Sequence, residues 1–142
     1  MALNAQFVGR TYAPTEVFEV TEERIVAFAH ALKTEPATVE VAGSSVLVAA
    51  PTLPIAFTLR AGEALGEDPD LGLNWSRVVH GEQRFLYRRP LIAGDRLEIT
   101  STIESIRSAA GNDMISLRAD IRTVDGEDVA QCWSLLVARG TA

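Results

Sequence analysis

The sequence predicts an α+β fold in which two helices cover one face of an antiparallel sheet. Two observations predict this class. The first half of the chain contains two segments whose apolar residues follow helical spacing, and the second half contains four strand-length segments that alternate polar and apolar residues. Short turns rich in glycine and aspartate separate these strands, so consecutive strands are expected to pair antiparallel. The 142 residues suit one domain spanning residues 1–142.

The composition excludes several classes of function. Apolar residues make up 47% of the chain and charged residues 23%, which is typical of a folded globular protein. The formal net charge of -6 argues against a nucleic-acid partner, because phosphate binding needs a basic surface. One cysteine and two histidines supply a metal site poorly, and we expect neither a metal nor a cofactor. No apolar leader or membrane-spanning run is present, which favours a cytoplasmic protein.

The first helix is predicted from its cap and its apolar stripe. A short strand, EVFEV at residues 16–20, precedes Thr21, which is a suitable N-cap. Pro36 ends the helical pattern, and residues 34–50 are interpreted as a long irregular loop. The expected core stripe of this helix consists of Ile25, Phe28, Ala29 and Leu32.

The second helix is predicted over residues 51–66, PTLPIAFTLRAGEALG. Thr52 is its expected N-cap, and both prolines lie in the first turn, where a missing N–H is tolerated. The residues expected to share its apolar face are Ile55, Leu59, Gly62 and Leu65.

The remaining strands are predicted to form a four-stranded meander. Turn residues lie between them at AGD (93–95), AAGND (109–113) and VDGED (124–128). The four strands are expected at residues 78–89, 97–107, 114–124 and 129–138.

The first of these strands contains one of the two histidines. Strict alternation places His80, Glu82 and Arg84 on one face of the sheet. His80 and Glu82 are then neighbours along the strand, at a spacing that suits either an ion pair or independent hydrogen bonds. The opposite, helix-facing set is Val79, Gly81, Gln83, Phe85 and Tyr87.

Three segments together resemble the MaoC-like dehydratase and hydratase family. They are AAPTLPIAF at the start of the second helix, RVVHGEQRFLYRRP in the strand that follows, and LIAGDRLEIT after it. The similarity extends over nearly the whole chain, and it is greatest to the N-terminal-type, FAS1-like module and to the non-catalytic subunit of heterodimeric (3R)-hydroxyacyl-acyl-carrier-protein dehydratases. The resemblance implies a hot-dog fold, in which an antiparallel sheet wraps around a central helix.

The resemblance also implies where catalytic residues would lie. Catalytic members carry an Asp and a His, with an Asn-Pro between them, just after the first helix. Here that segment reads AFAHALKTEPATVEVAG, with Thr34 and Glu35 near the aspartate position and residues 37–39 near the histidine position. His30 falls too early and is expected to be a surface histidine or a helix histidine with a satisfied hydrogen bond. No catalytic residue is therefore assigned to this chain, and the dyad is expected on a partner hot-dog chain, unless the protein is a homodimer.

The resemblance further implies a thioester substrate on acyl carrier protein or coenzyme A, which makes this chain the substrate-holding half of a (3R)-3-hydroxyacyl thioester dehydratase. Arg84, Arg88 and Arg89 are the candidates to contact the anionic carrier. Two alternatives stay open: a hot-dog thioesterase in which Glu63 directs water, and a homodimeric acyl-thioester-binding module without chemistry. The candidate substrate-binding residues, some of which equally suit the core, are Thr52, Ile55, Phe57, Leu59, His80 and Gln83.

Overall fold

The computed structural model describes residues 2–140 and contains one large sheet, one separate hairpin and three α-helices within that range. The strands are β1 Thr11–Tyr12, β2 Phe18–Glu19, β3 Ala37–Val41, β4 Ser44–Val48, β5 Val78–Tyr87, β6 Arg96–Ala109, β7 Asn112–Thr123 and β8 Asp128–Ala138. The helices are α1 Glu22–Ala31, α2 Pro54–Ala61 and α3 Glu63–Gly66.

The large sheet is antiparallel and curls around α2, which is the hot-dog fold. Its strand order is β1-β6-β7-β8-β5, with β2 also pairing with β6. Phe57 of α2 is buried against Phe18, with ring centroids 5.1 Å apart, and belongs to one core cluster with the apolar faces of the sheet strands. A second cluster joins Leu65 of α3 to the other end of the sheet. The predicted fold class is confirmed.

Local signals predicted α1 and the strand positions well. The Thr21 side chain accepts a hydrogen bond from the Arg24 N–H at 3.1 Å, as expected of an N-cap. Ile25 and Ala29 are buried, whereas Leu32 is 49% exposed and lies outside the core stripe. The helix ends at Ala31, before Pro36, because the chain turns into a left-handed conformation at Lys33 (φ 58).

The predicted four-stranded meander is wrong at its first connection. β6, β7 and β8 do form consecutive hairpins, but β5 pairs with β8 instead of β6. The connection from β5 to β6 does not form a tight hairpin, because its backbone is hydrogen-bonded to β4 and to the residue after β4. The Ala49 N–H donates to Leu91 O, and the Ala93 N–H donates to Leu47 O, both at 2.9 Å. β5 therefore lies at one edge of the described sheet.

The segment interpreted as a loop contains the β3–β4 hairpin. Its two-residue turn is Ala42-Gly43, with φ of 50° and 83°, and positive φ at both central positions is typical of the type I′ turn that joins hairpin strands. The β-branched residues on either side of the turn were the signal for it. The loop prediction fails here because Gly43 and the two serines after it break the strand pattern without ending the hairpin.

The second helix is shorter than predicted, and Thr52 does not cap it. The helix begins at Pro54, its N-cap position is Leu53 in a helical conformation, and no side chain caps it. Gly62 divides the predicted segment into α2 and α3, because glycine is unfavourable within a helix. The residues of α2 that face the core are Pro54, Phe57 and Thr58, whereas Leu59 is 48% exposed.

Candidate functional site

A bulge in β5 sets which side chains face the helices. His80 lies opposite Leu136, but Glu82 lies opposite Leu135, so Gly81 is an extra residue without a partner on β8. Because one extra residue reverses the alternation, His80 and Gln83 point to the same face of the sheet and Glu82 points to the other. The prediction that His80 and Glu82 share a face is therefore wrong.

His80 and Gln83 form a small polar cluster with Ser134 on the helix-facing side of the sheet. His80 Nε2 lies 3.1 Å from Gln83 Oε1, and Ser134 Oγ donates to the same oxygen at 2.7 Å. Among the described residues, 2–140, the histidine thus has an amide partner and no carboxylate partner. Ser134 was missed from the sequence, although it is a polar residue between Cys132 and Leu136, two buried positions on the inner face of β8.

A cavity of about 600 Å³ opens beside the end of β5. Ala29 of α1 lines it together with three segments: residues 34–37 after α1, residues 48–51 before α2, and residues 87–91 at the end of β5 and beyond it. Most of the side chains are alanine, proline, valine or leucine, so the wall is largely apolar, as in sites that hold an acyl chain.

Tyr87 fixes one wall of this cavity. Its hydroxyl donates to Pro51 O at 2.5 Å and so ties the end of β5 to the segment that leads into α2. Burial raises the pKa of the Tyr87 phenol well above its ordinary value. The phenol is therefore a neutral donor at physiological pH, and this structural role was not foreseen from the sequence.

The segment after α1 contributes Thr34 and Glu35 to the cavity but no imidazole. Thr34 is tied back to the helix, because its N–H donates to Ala29 O at 2.9 Å. His30 lies at the surface as predicted, with its Nε2 atom 3.6 Å from Glu35 Oε2; the two side chains are 58% and 87% exposed.

The three arginines at the end of β5 have different surroundings. Every N–H of the Arg89 guanidinium is used: Nη1 and Nη2 donate to Asp95 at 2.9 Å, Nε and Nη2 to Glu127, and Nη1 also to Pro90 O. These bonds, those to Asp95 first, raise the pKa of Arg89. No donor of Arg89 is left for an anionic carrier.

Arg84 and Arg88 keep their charge available. The Arg84 guanidinium stacks over the Trp133 ring at 4.7 Å from its centroid. Arg88 has no ion pair within residues 2–140, and it lines the cavity.

The helix residues predicted to contact substrate are dispersed. Phe57 is a core residue, Ile55 is half-buried, and Thr52 and Leu59 are exposed. Thr52 follows Pro51, which lines the cavity, so Thr52 lies near its rim. Glu63 is exposed at the start of α3 and is not among the residues that line the cavity.

No group of three or more histidine, cysteine, aspartate or glutamate side chains within residues 2–140 is arranged to hold a metal ion. None of the described helices is long and apolar enough to cross a bilayer.

Comparisons with known proteins identify the family of this chain. Residues 6–132 match the family model of the FAS1-like dehydratase domain region. UPF0336 proteins of Saccharopolyspora erythraea and Streptomyces avermitilis are 45% and 46% identical; the alignments cover 100% and 98% of this chain and 95% and 97% of those proteins.

Solved structures share the fold. The truncated HadBC (3R-hydroxyacyl-ACP dehydratase) complex of Mycobacterium tuberculosis superposes with a TM-score of 0.78 at 24% identity, over 92% of this chain and 96% of that chain. An (R)-hydratase from A. caviae involved in PHA biosynthesis superposes with a TM-score of 0.62 at 16% identity, over 91% of this chain and 94% of that chain. Given the family match over most of its length and the UPF0336 relatives, the chain belongs to the FAS1-like dehydratase domain family, on a hot-dog fold.

Proposed function

We propose that this chain is the substrate-holding subunit of a (3R)-3-hydroxyacyl thioester dehydratase or enoyl hydratase of fatty-acid metabolism. Its catalytic Asp and His would lie on a partner hot-dog chain. The observation that carries this proposal is the segment after α1, which borders the cavity with Thr34 and Glu35 but offers no imidazole. Family membership supports the chemistry, and the missing imidazole supports its division between two chains.

The chemistry explains why a partner is needed. Dehydration removes a proton next to the thioester carbonyl and helps a hydroxyl group to leave, so an acid and a base must flank the reacting carbons. Neither histidine of this chain meets that need, because His80 bonds to an amide and His30 is exposed at the surface. A second chain would supply both groups at the mouth of a cavity that this chain provides.

The edge of the sheet is the proposed contact with that partner. β5 is ten residues long and lies at the sheet edge, where a free strand edge favours pairing with another strand. Pairing through β5 would give a continuous sheet of about ten strands across two chains. Light scattering at micromolar concentration tests this, and a protein that stays monomeric both alone and beside the partner contradicts it.

The substrate would lie in the cavity, with its carrier near the arginines. Three residues in or just before α2 lie outside the cavity lining and would border the acyl thioester only if the partner chain covers them: Thr52, Ile55 and Leu59. His80 and Gln83 would contact the partner chain or the acyl tunnel. Arg88, followed by Arg84, is the proposed contact for the phosphopantetheine of acyl carrier protein or coenzyme A, because Arg89 has no free donor.

The test is hydration of crotonyl-coenzyme A or a longer enoyl thioester, followed by absorbance. We expect no turnover by the isolated chain and turnover that rises as a dyad-bearing hot-dog chain is added. Robust turnover by the isolated chain would contradict the proposal, as would a partner whose rate is unchanged by this chain.

A homodimeric acyl-thioester-binding module is the second candidate, because the cavity and Arg88 are present in one chain. Bound lipid together with no turnover beside any partner would favour it. Release of free thiol from acyl-coenzyme A would instead indicate a thioesterase, although Glu63 does not line the cavity.

A further inference from the structure

The β3–β4 hairpin carries apolar side chains on one of its faces. Directly opposed residues of an antiparallel pair share a face of the sheet. Val39 lies opposite Val46, and Ala37 lies opposite Val48. This valine face consists of Ala37, Val39, Val41, Ser44, Val46 and Val48, and it has no charged side chain.

The two faces of the hairpin have different surroundings. Leu47, on the opposite face, packs against the core and so attaches the hairpin to the body of the protein. Val39 and Val41 of the valine face are 40% and 41% exposed. Clustered exposed apolar side chains of this kind typically mark a binding surface.

The valine face continues the wall of the cavity. Ala37 and Val48, at the base of the hairpin, are both lining residues of the 600 Å³ cavity. From there the face runs outward to the Ala42-Gly43 turn. A five-residue strand spans about 17 Å, so the apolar surface extends well beyond the cavity itself.

The charges around the cavity define what would complement it. Arg88 is a lining residue without an ion pair in the described chain, whereas Arg89 is neutralised by Asp95 and Glu127. The lining carboxylate, Glu35, is largely exposed and has the His30 ring beside it. The complementary ligand therefore has an anionic group at one end and a long apolar chain at the other. An acyl thioester of phosphopantetheine has both.

We propose that the distal part of a long acyl chain lies along the valine face, and that the hairpin thereby makes this protein selective for long-chain thioesters. The inference rests on the proposed function for the nature of the ligand, but it concerns binding alone and not the chemical step. A partner chain is the alternative occupant of the same surface. If a partner chain covers the valine face, substitutions of the valines should change the molecular mass of the assembly.

The test measures the affinity of the purified chain for saturated acyl-coenzyme A of 4, 8, 12 and 16 carbons by calorimetry, below micelle-forming concentrations. Each additional methylene that is fully buried strengthens binding about fourfold, so partial burial of the last eight should still give at least about a tenfold preference for 16 carbons over 8. The variants are Val39→Glu, with Val39→Thr as a milder change. Thr38→Glu is the control, because it places the same charge on the other face of β3.

We expect Val39→Glu to weaken binding of the 16-carbon thioester about tenfold or more, Val39→Thr to weaken it less, and Thr38→Glu to leave it unchanged. Binding of the 4-carbon thioester should be the same in all four proteins. The inference is overturned if the wild-type affinity does not depend on chain length, if no 16-carbon thioester binds, or if Thr38→Glu acts like Val39→Glu. A change in oligomeric mass by Val39→Glu without loss of affinity also overturns it and makes the face a protein interface. Failure of enoyl turnover with a partner bears only on the proposed function.

Discussion

His80 Nε2 lies 3.1 Å from Gln83 Oε1, because the bulge at Gly81 turns both side chains to the same face of β5. Without the bulge, residues 80 and 83 would point to opposite faces. An amide oxygen can only accept, so His80 Nε2 donates to Gln83 Oε1, which also accepts from Ser134 Oγ. This bond orients an imidazole on the inner face of an edge strand, where a partner chain would meet it.

Removing the His80 imidazole should therefore impair assembly or substrate affinity and spare the chemical step. In an active complex, His80→Ala should raise KM or weaken subunit association while kcat changes by less than about threefold. Glu82→Ala is the matched control, since Glu82 lies on the other face of the same strand. A collapse of kcat at unchanged affinity would instead make His80 catalytic.

Tyr87 should make the protein sensitive to alkali. Burial raises the pKa of its phenol, so the folded state holds this proton more tightly than the unfolded chain does, and the stability that it contributes is present below the unfolded pKa of about 10. As pH rises above that value the unfolded state loses its proton first, and stability falls. Tyr87→Phe should cost about 1 kcal/mol at pH 7, through the lost bond to Pro51 O, and should flatten the decline above pH 10.

Urea denaturation between pH 7 and 11 measures both effects. Two other groups add a decline of the same sign: burial raises the pKa of Cys132 to about 12, and burial, followed by the charge of Asp68, raises the pKa of Tyr12. Wild type and Tyr87→Phe share both groups, so the difference between the two proteins reports on Tyr87. Equal alkaline slopes in the two proteins would show that Tyr87 does not titrate differently on unfolding.

Substitutions of the neighbouring residues Arg88 and Arg89 should affect different properties: thioester binding for Arg88 and the stability of the fold for Arg89. Arg89→Ala leaves the buried Asp95 carboxylate without its guanidinium partner and should destabilise the fold by about 3 kcal/mol. Arg88→Ala removes no ion pair in the described chain and should change the free energy of unfolding by less than about 0.5 kcal/mol, while weakening coenzyme A thioester binding. Denaturation and calorimetry on the two variants test this, and the reverse pattern would refute the assignment of Arg88 as the carrier contact.

Features fixed by nearby residues were predictable from the sequence. Thr21, the residue just before α1, caps the helix by accepting from the Arg24 N–H. The Ala110-Gly111 turn (φ 51 and 77) joins β6 to β7 where glycine and asparagine indicated a reversal. The resemblance to the dehydratase family, carried by three local motifs, gave the hot-dog fold, which is confirmed.

Features fixed by distant contacts were not predictable. β5 pairs with β8 and not with β6, because the residues after β5 form hydrogen bonds with β4. No local sequence pattern shows which of these pairings forms. The face of α2 was misassigned because Leu53, Ile55, Phe57 and Leu59 are all apolar, and only packing against the sheet selects Phe57. The bulge at Gly81 had a visible signal, a glycine within a strand pattern, but a glycine there also fits a regular strand.

The surface pair of His30 and Glu35 should not contribute to catalysis. The two groups lie 3.6 Å apart and Glu35 lines the cavity, so together they could imitate an acid–base pair. Their exposure argues against it, because a useful acid or base must be held against the substrate away from water, where positioned groups supply about 10² to 10⁴ in rate. Glu35→Gln and His30→Ala should each leave the rate of a complex with a dyad-bearing partner within about twofold. Loss of more than tenfold in kcat by either variant, with assembly intact by light scattering, would make this chain a catalytic contributor.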